Sequence, residues 1–347
     1  MSGGKIMSGG EIGVGVIGLG FMGRTHLESF SRIPACRIAA VVDKNPERLT
    51  GESTSGGNLD TGGDFVSEVS EAAMFRSVES MLADCEVDLA VVTTPTPTHV
   101  EIATRLVEAG CHVLVEKPVS LDLDAISKLD DAARERGVIA MPAHCMRFWP
   151  AWAWIHHRIL ERSCGDVIRA AFRRTGAVPD WNPDFYQDTS RSGGAIVDLH
   201  IHDTDFVLHC FGTPVAVTSV GSRSNVSTTY HYQDGPQVEA VGGWLDAPDA
   251  SFTMEAEIEC ERGTISFVLG RDPEVEIRSV NGLITGHPEA SEGGSGYDAQ
   301  ARAIIAAISE GGGDPPVSMV DAIRAGRVLE YEIRSVESGG ARKPVLI

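Results

Sequence analysis

The sequence predicts an α/β protein of two domains: an N-terminal doubly wound parallel sheet, then an α+β domain with a large, mainly antiparallel open sheet. In the first half, apolar strand-like runs alternate with helix patterns, which is typical of parallel strands covered on both faces. In the second half, shorter strand-like runs are separated by Gly, Pro and Asp turns. A chain of 347 residues is also long for one core, and we expect domains at 8–146 and 147–347.

The composition excludes several classes of protein. The formal net charge of -20 repels phosphate backbones, so we expect no nucleic-acid partner. No apolar run is long enough to span a bilayer, and the first ten residues lack the apolar core of a signal peptide. The seven cysteines are scattered without a CxxC pair, which favours reduced thiols and a cytoplasmic protein.

The first strand, Ile12 to Ile17, runs into a glycine-rich turn. Gly18, Gly20 and Gly23 have the spacing G-x-G-x-x-G, a helix pattern follows, and the second strand ends at Asp43. These glycines suit a tight turn, a close approach to a pyrophosphate, and helix packing. The sequence therefore predicts a Rossmann domain that binds a dinucleotide.

The ends of these elements predict the cofactor contacts. Phe21 and Met22 open the helix, whose N-terminus offers N–H groups and partial positive charge to phosphates. Asp43 would accept from the adenosine ribose hydroxyls and repel a 2′-phosphate, which favours NAD over NADP. Lys44 weakens this preference, because a lysine there tolerates the phosphate.

Two later strands also end in polar residues. The run "VDLAVVTTPTPTH" leads to Thr94, Pro95 and His99, and the run "CHVLVEKP" leads to Glu116 and Lys117. In an open parallel sheet, ligands bind outside the carboxyl ends of the strands. We therefore expect these residues to share one edge with the glycine turn, and "VIAMPAH" to form a final strand.

The stretch "GGAIVDLHIHDTDF" in the second half is dense in ionisable residues. On a helix, Asp198, His202 and Asp205 share one face, His200 points roughly the opposite way, and Asp203 lies to the side. The H-x-H pair is also a metal-site pattern, and a merely polar helix face would look the same. Spacing alone leaves proton transfer, metal binding and a solvated face open.

The motifs together resemble the Gfo/Idh/MocA oxidoreductases, the glucose-fructose oxidoreductase and inositol dehydrogenase family. The resemblance rests on "GVIGLGFMG", "EKP", "RFWP" and the glycine pair followed by D-x-x-x-H-x-x-D, and it covers nearly the whole chain. It implies that Lys117 and His202 flank the substrate, that Asp198 is a third site residue, and that Pro95 and His99 lie near the cofactor. Many relatives have a small residue at position 200, so the role of His200 stays open.

The resemblance favours proton transfer for the histidine-rich stretch and no metal. Histidine has an ordinary pKa near 6.5, so His202 suits a base at neutral pH. Asp198 would orient it or contact a hydroxyl, and the ammonium of Lys117 would stabilise negative charge on the reacting oxygen.

Besides Asp198 and His202, three further residues of the second half are predicted to bind substrate. They are Arg147 of "RFWP", and Trp181 and Tyr186 of the loop "DWNPDFYQDTS". One face of the predicted open sheet would need a cover, and in similar proteins a partner subunit supplies it. We therefore expect a homo-oligomer, a dimer or a tetramer.

The predicted function is an NAD(P)-dependent oxidoreductase that moves a hydride between nicotinamide and a secondary alcohol of a sugar, polyol or inositol-type substrate. One alternative is an NAD-dependent glycosidase acting by transient oxidation. Another is a non-catalytic NAD-binding sensor or regulator, although such a protein has no need of both Lys117 and His202.

Overall fold

A computed structural model describes residues 11–50, 69, 71–180, 182–247, 250–279, 282–285, 294–311 and 313–346. The chain divides into two compact units. The first comprises Met1–His144 and Tyr297–Ile323, and the second comprises Cys145–Gly296 and Arg324–Ile347.

The first unit contains a sheet of six strands in the order β3-β2-β1-β4-β5-β6. The strands are β1 (Ile12–Ile17), β2 (Cys36–Val42), β3 (Ala73–Phe75), β4 (Leu89–Val92), β5 (His112–Val115) and β6 (Ala140–Pro142). Each neighbouring pair is parallel, and the strand order reverses at β1. This is the predicted doubly wound sheet, with "VIAMPAH" as its last strand.

Helices between the strands cover this sheet. They are α1 (Phe21–Ser31), α2 (Pro46–Leu49), α3 (Val78–Asp84), α4 (His99–Glu108) and α5 (Leu123–Arg136). The carboxylate of Asp122 caps α5 by accepting from the backbone of Asp124 at 3.0 Å, and Gly137 ends the helix with a φ of 68°. The four residues of β4 are all buried, as expected for a strand covered on both faces.

A segment late in the sequence belongs to the first unit. It holds α11 (Gly296–Ser309), apart from its first residue, and the start of α12 (Met319–Glu337). Met319 and Ala322 are buried in one apolar cluster with Leu123 and Ile126 of α5. The sequence analysis predicted a second domain of residues 147–347, which includes this segment. Apolar periodicity identifies a helix but does not identify the core that buries it.

The second unit contains a sheet of nine strands in the order β14-β13-β12-β11-β7-β10-β9-β8-β15. The strands are β7 (Val167–Ala177), β8 (Ala216–Gly221), β9 (Asn225–His231), β10 (Gln237–Leu245), β11 (Thr253–Cys260), β12 (Gly263–Val268), β13 (Val275–Ser279), β14 (Gly282–Thr285) and β15 (Lys343–Pro344). Among the described strands, β10 pairs with β7 in parallel and the other pairings are antiparallel. The hairpin predicted at "ECERGTISF" is confirmed, because Cys260 pairs with Gly263.

Helices precede and follow the first strand of this sheet. They are α6 (Pro150–Leu160), α7 (Pro183–Gln187), α8 (Thr189–Ser192), α9 (Ala195–Asp198) and α10 (Ile201–Phe211). Trp152 of α6 is fully buried, with its ring centroid 4.7 Å from that of Phe206 on α10 and 5.9 Å from that of Phe172 on β7. This aromatic cluster joins both helices to the sheet. None of the helices within the described residues is long and apolar enough to cross a membrane.

Candidate active site

The glycine turn between β1 and α1 has the shape of a dinucleotide cradle. Gly18 has a φ of 93°, and a Cβ atom on Gly23 would lie 1.9 Å from the carbonyl oxygen of Gly18. A Cβ atom on Gly20, in contrast, would have no atom of the described residues within 4 Å, apart from its two chain neighbours. Gly18 and Gly23 therefore shape the turn, whereas Gly20 leaves an open space at the start of α1. No acidic residue occupies the first turn of α1, so its positive end suits a pyrophosphate.

Asp43 lies directly after β2 and is 5% exposed. Its carboxylate accepts the backbone N–H groups of Leu19 and Asn45, each at 2.8 Å. The guanidinium of Arg48 lies 3.6 Å from the same carboxylate. The sequence did not identify Arg48, although a basic residue so soon after the acid was a signal. A cation here offsets part of the repulsion between Asp43 and a 2′-phosphate.

The loop after β4 is hydrogen-bonded to the glycine turn. The hydroxyl of Thr93, a residue not among the predicted contacts, donates to the carbonyl oxygen of Gly18 at 2.6 Å. Thr94 lies next to it, and its hydroxyl accepts from that of Thr98 at 2.8 Å. The carbonyl of Pro95 accepts the Thr98 N–H at 2.9 Å. The predicted residues thus lie in a loop that is braced against the cradle.

The loop after β5 carries Lys117, and two histidines fix its backbone. His26 on α1 donates from Nε2 to Oε1 of Glu116 at 2.7 Å, and Oε2 of Glu116 accepts the N–H of Lys117 at 3.1 Å. On the other side of Lys117, Nδ1 of His99 donates to the carbonyl of Pro118 at 3.0 Å. The sequence predicted Glu116 and His99 at the site but missed His26.

Two buried side chains that hold this loop, those of Glu116 and His99, have shifted pKa values. Burial alone would raise the pKa of Glu116, but the hydrogen bond from His26 and the electrostatic interactions with His26 and Lys117 outweigh it and lower that pKa. Burial lowers the pKa of His99, although the carbonyl groups of Thr94 and Pro118 oppose this. At neutral pH, Glu116 is therefore an anion directly beside Lys117.

The four sequence features of the first unit lie at one edge of its sheet, as predicted. The glycine turn, Asp43, the loop from Thr94 to His99, and Lys117 follow β1, β2, β4 and β5 at their carboxyl ends. Because these strands are parallel neighbours, their ends meet at the same side.

In the second unit, a glycine pair begins the histidine-rich stretch. Gly193 and Gly194 have φ values of 79° and 81°, and a Cβ atom on Gly194 would lie 2.7 Å from the carbonyl oxygen of Arg223. Only glycine fits this conformation and this approach without strain. The glycine pair therefore sets the direction in which α9 starts.

The helix predicted to carry Asp198, His202 and Asp205 on one face is interrupted. The helix breaks between α9, which ends at Asp198, and α10, which begins at Ile201. The N–H of His200 donates at 2.9 Å to the carbonyl of Ala195, five residues earlier, so the regular helical pattern is interrupted. Asp198 and His202 are both partly exposed, whereas His200 is fully buried.

The other two aspartates of the stretch bind arginines. Arg174 donates to both carboxylate oxygens of Asp203 at 3.0 Å, and Arg147 donates to those of Asp205 at 2.9 and 2.6 Å. Both carboxylates are buried. Across the described residues, no three His, Cys, Asp or Glu side chains are grouped to hold a metal ion. Arg147, predicted to bind substrate, thus has a structural partner in Asp205.

The predicted aromatic contacts are described in part. Tyr186 on α7 is half-buried, and its ring packs edge-on against Trp244 at a centroid distance of 5.8 Å. Trp181 lies outside the described residues.

A dinucleotide cradle on a doubly wound sheet, followed by an open antiparallel sheet, defines a two-domain dinucleotide-binding protein of the Rossmann class. Residues 12–144 match the model of the oxidoreductase family with an NAD-binding Rossmann fold, and residues 152–266 match the C-terminal domain model of the same family. The chain belongs to the Gfo/Idh/MocA oxidoreductase family.

Named relatives agree with this assignment. Inositol 2-dehydrogenase of Rhizobium meliloti is 25% identical over 93% of this chain and 96% of its own length. UDP-N-acetylglucosamine 3-dehydrogenase of Acidithiobacillus ferrooxidans is 32% identical, over 60% of this chain and 57% of its own length. A solved structure of levoglucosan dehydrogenase with NADH and levoglucosan is similar in fold, with a TM-score of 0.80, 21% identity, and coverage of 97% of this chain and 100% of that chain.

Proposed function

We propose that this protein oxidises a secondary alcohol of a sugar, cyclic polyol or inositol-type substrate with NAD. The observation that carries the proposal is the fixed position of Lys117 at the edge that bears the dinucleotide cradle. Glu116 and His99 hold the backbone on either side of this lysine, at 3.1 and 3.0 Å. A cation at the carboxyl edge of the first unit's sheet suits a substrate oxygen that gains negative charge.

The proposal gives each residue one step. The chemistry that a bound nicotinamide would supply is the acceptance of a hydride from the substrate carbon. The ammonium of Lys117 donates a hydrogen bond to the substrate oxygen, and His202 accepts the hydroxyl proton. Asp198 binds a neighbouring hydroxyl or orients the imidazole. The relatives described above are named as dehydrogenases, and they lend no support to the glycosidase or regulator alternatives.

The proposed cofactor is NAD, with NADP as the weaker ligand. Phe21 and Met22 at the start of α1 would face the pyrophosphate, and Asp43 would bind the adenosine ribose. Arg48, 3.6 Å from Asp43, reduces the discrimination against the 2′-phosphate. A bacterial relative in the same family, named as an NADP-dependent scyllo-inositol dehydrogenase, is consistent with that limited preference.

The test follows the absorbance of reduced nicotinamide with NAD and a panel of inositols, aldoses, anhydrosugars and uronates. We expect one class to be oxidised. Lys117→Met and His202→Ala should each lower kcat by about 10²–10³-fold and leave NAD affinity near that of the wild type. Lys128→Met, a change on α5 away from the strand ends, is the matched control. A panel without any substrate, despite tight NAD binding, would contradict the proposal, and equal loss of NAD affinity would contradict the role of Lys117.

We also propose that the second unit forms homo-oligomers through the outer face of its sheet. That face carries ion pairs between neighbouring strands, Arg169 with Glu239 at 3.1 Å and Arg173 with Glu255 at 4.0 Å. Light scattering should show a dimer or a tetramer, and Arg173→Glu should weaken the association between subunits. A monomer at every protein concentration would contradict the proposed oligomer.

The proposed substrate-binding residues of the second unit also include Arg147, Trp181 and Tyr186.

A further inference from the structure

His200 is buried at the turn between α9 and α10, and its side chain points to a carboxylate on a distant helix. Its Nε2 donates to Oε2 of Glu332 on α12 at 3.1 Å, and the hydroxyl of Tyr230 lies 3.3 Å from the same nitrogen. Both His200 and Glu332 have no exposed side-chain area. The imidazole is therefore held inside the second unit and does not face solvent beside His202.

Glu332 also binds α10 at a second point. The hydroxyl of Thr204, within the first turn of α10, donates to Oε1 at 3.2 Å, and that of Thr228 on β9 donates to Oε2 at 3.1 Å. Tyr230 joins the network through Thr204 at 3.0 Å. One carboxylate thus fixes α10 both just before its start and one turn later.

The backbone of His200 links the two helices. Its N–H closes α9 through Ala195, and its carbonyl accepts the N–H groups of Asp203 and Thr204, each at 3.0 Å, which starts α10. Asp203 is in turn paired with Arg174, buried on β7. The charged groups around the His200 ring are therefore Glu332, Asp203 and Arg174.

The strand β10 provides the space for the imidazole. A Cβ atom on Gly242 would lie 2.5 Å from Nδ1 of His200. The glycine therefore lets the ring lie against the sheet in the position where it reaches Glu332. A larger residue at 242 would displace the ring without changing its chemistry.

We propose that His200 is a positioning residue that sets the placement of His202 and Asp198 through its hydrogen bond to Glu332. The inference rests on the proposed function. A buried ion pair contributes no more stability than apolar packing of the same volume, but directed hydrogen bonds fix the rotation and translation of a helix start. His202 is the second residue of α10 and Asp198 the last of α9, so each lies two residues from the anchored ring. A displacement of about 1 Å at a reacting group costs about a hundredfold in rate.

The test uses the full chain with His200→Leu, His200→Gln and Gly242→Ala, and Thr228→Val as the matched control. Thr228→Val removes a donor from the same carboxylate but lies on β9, outside the turn that carries the site. We expect His200→Leu and Gly242→Ala to lower kcat by about 10- to 100-fold with NAD affinity unchanged within about twofold. His200→Gln retains an N–H donor and should recover most of kcat. Thr228→Val should lower the thermal midpoint and leave kcat unchanged.

Two kinetic results would overturn the inference: wild-type kcat in folded His200→Leu, or an equal loss of kcat in Thr228→Val. A readout independent of turnover is the NMR titration of the His202 imidazole, assigned with His202→Ala. Its midpoint should move in His200→Leu and stay in Thr228→Val. If the titration midpoint of His202 moves in His200→Leu but no substrate of the panel is oxidised, the positioning role of His200 is supported and the proposed function is contradicted. If substrate is oxidised and neither kcat nor the midpoint changes, the inference fails and the function stands.

Discussion

The imidazole Nε2 of His26 lies 2.7 Å from the carboxylate Oε1 of Glu116, and both side chains are buried. This pair links α1, which begins at the dinucleotide cradle, to the residue directly before Lys117. Because Glu116 also accepts the Lys117 N–H, loss of His26 would affect both the stability of the first unit and the loop that carries the lysine.

We expect His26→Phe to destabilise the protein by about 3 kcal/mol, because it leaves a buried carboxylate without its main partner. His26→Gln, which keeps an N–H donor, should lose less stability than His26→Phe. The pKa of Glu116 is lowered in the folded state, so its stabilisation is present above the ordinary value near 4.5 and is lost as pH falls through the lower folded value. Urea unfolding between pH 3 and 7 measures both effects. A stability of His26→Phe equal to that of the wild type would contradict this account.

The glycine turn predicts opposite outcomes for two similar substitutions. Gly20 has a φ of -72° and open space around a new Cβ atom, so Gly20→Ala should keep the thermal midpoint of the wild type. It should nevertheless lower NAD affinity by about tenfold or more, because the methyl group enters the space of the pyrophosphate. Gly23→Ala places a Cβ atom against the Gly18 carbonyl and should cost about 1–3 kcal/mol of stability. Calorimetric titration and thermal unfolding separate the two, and normal NAD binding by Gly20→Ala would be evidence against the cradle.

Arg48 is expected to govern how well NADP is tolerated. Its guanidinium is partly exposed beside Asp43, so an interaction with a 2′-phosphate would contribute about 1 kcal/mol. Arg48→Ala should weaken NADP binding by about fivefold and leave NAD binding unchanged. Lys44→Ala is the matched comparison, because it removes a neighbouring cation. A larger loss in Lys44→Ala than in Arg48→Ala would assign the role to the lysine.

The His200–Glu332 pair predicts a pH-dependent stability. Burial disfavours the imidazolium, but the attraction of Glu332 outweighs it, so the pKa of His200 lies above its ordinary value of 6.5. The stabilisation is therefore fully present below about pH 6.5 and is lost as pH rises through the higher folded value. The difference in thermal midpoint between the wild type and His200→Leu should shrink from pH 6 to pH 9. The difference in thermal midpoint between the wild type and Thr228→Val should stay constant over the same pH range. If the difference for His200→Leu grows with pH instead, the predicted direction of the pH dependence is wrong.

The sequence by itself determined the class of fold, the dinucleotide cradle and the edge that carries Lys117. These features depend on short-range patterns: the spacing of Gly18, Gly20 and Gly23, and apolar runs that each end in polar residues. Parallel strands bring their carboxyl ends together whatever the details of packing, so four local patterns were enough to predict that these residues share one edge of the sheet.

Only the tertiary structure decided which polar residues are buried partners. The pattern around Asp198 and His202 looked like one continuous helix, but the structure interrupts it at His200, whose buried side chain is paired with a carboxylate from α12. His26 and Glu116 likewise meet from separate elements. A hydrophobic period shows which face of a helix is buried, but a buried charge needs a specific partner from another part of the chain. That pairing depends on how the elements pack in three dimensions, so local spacing cannot reveal it.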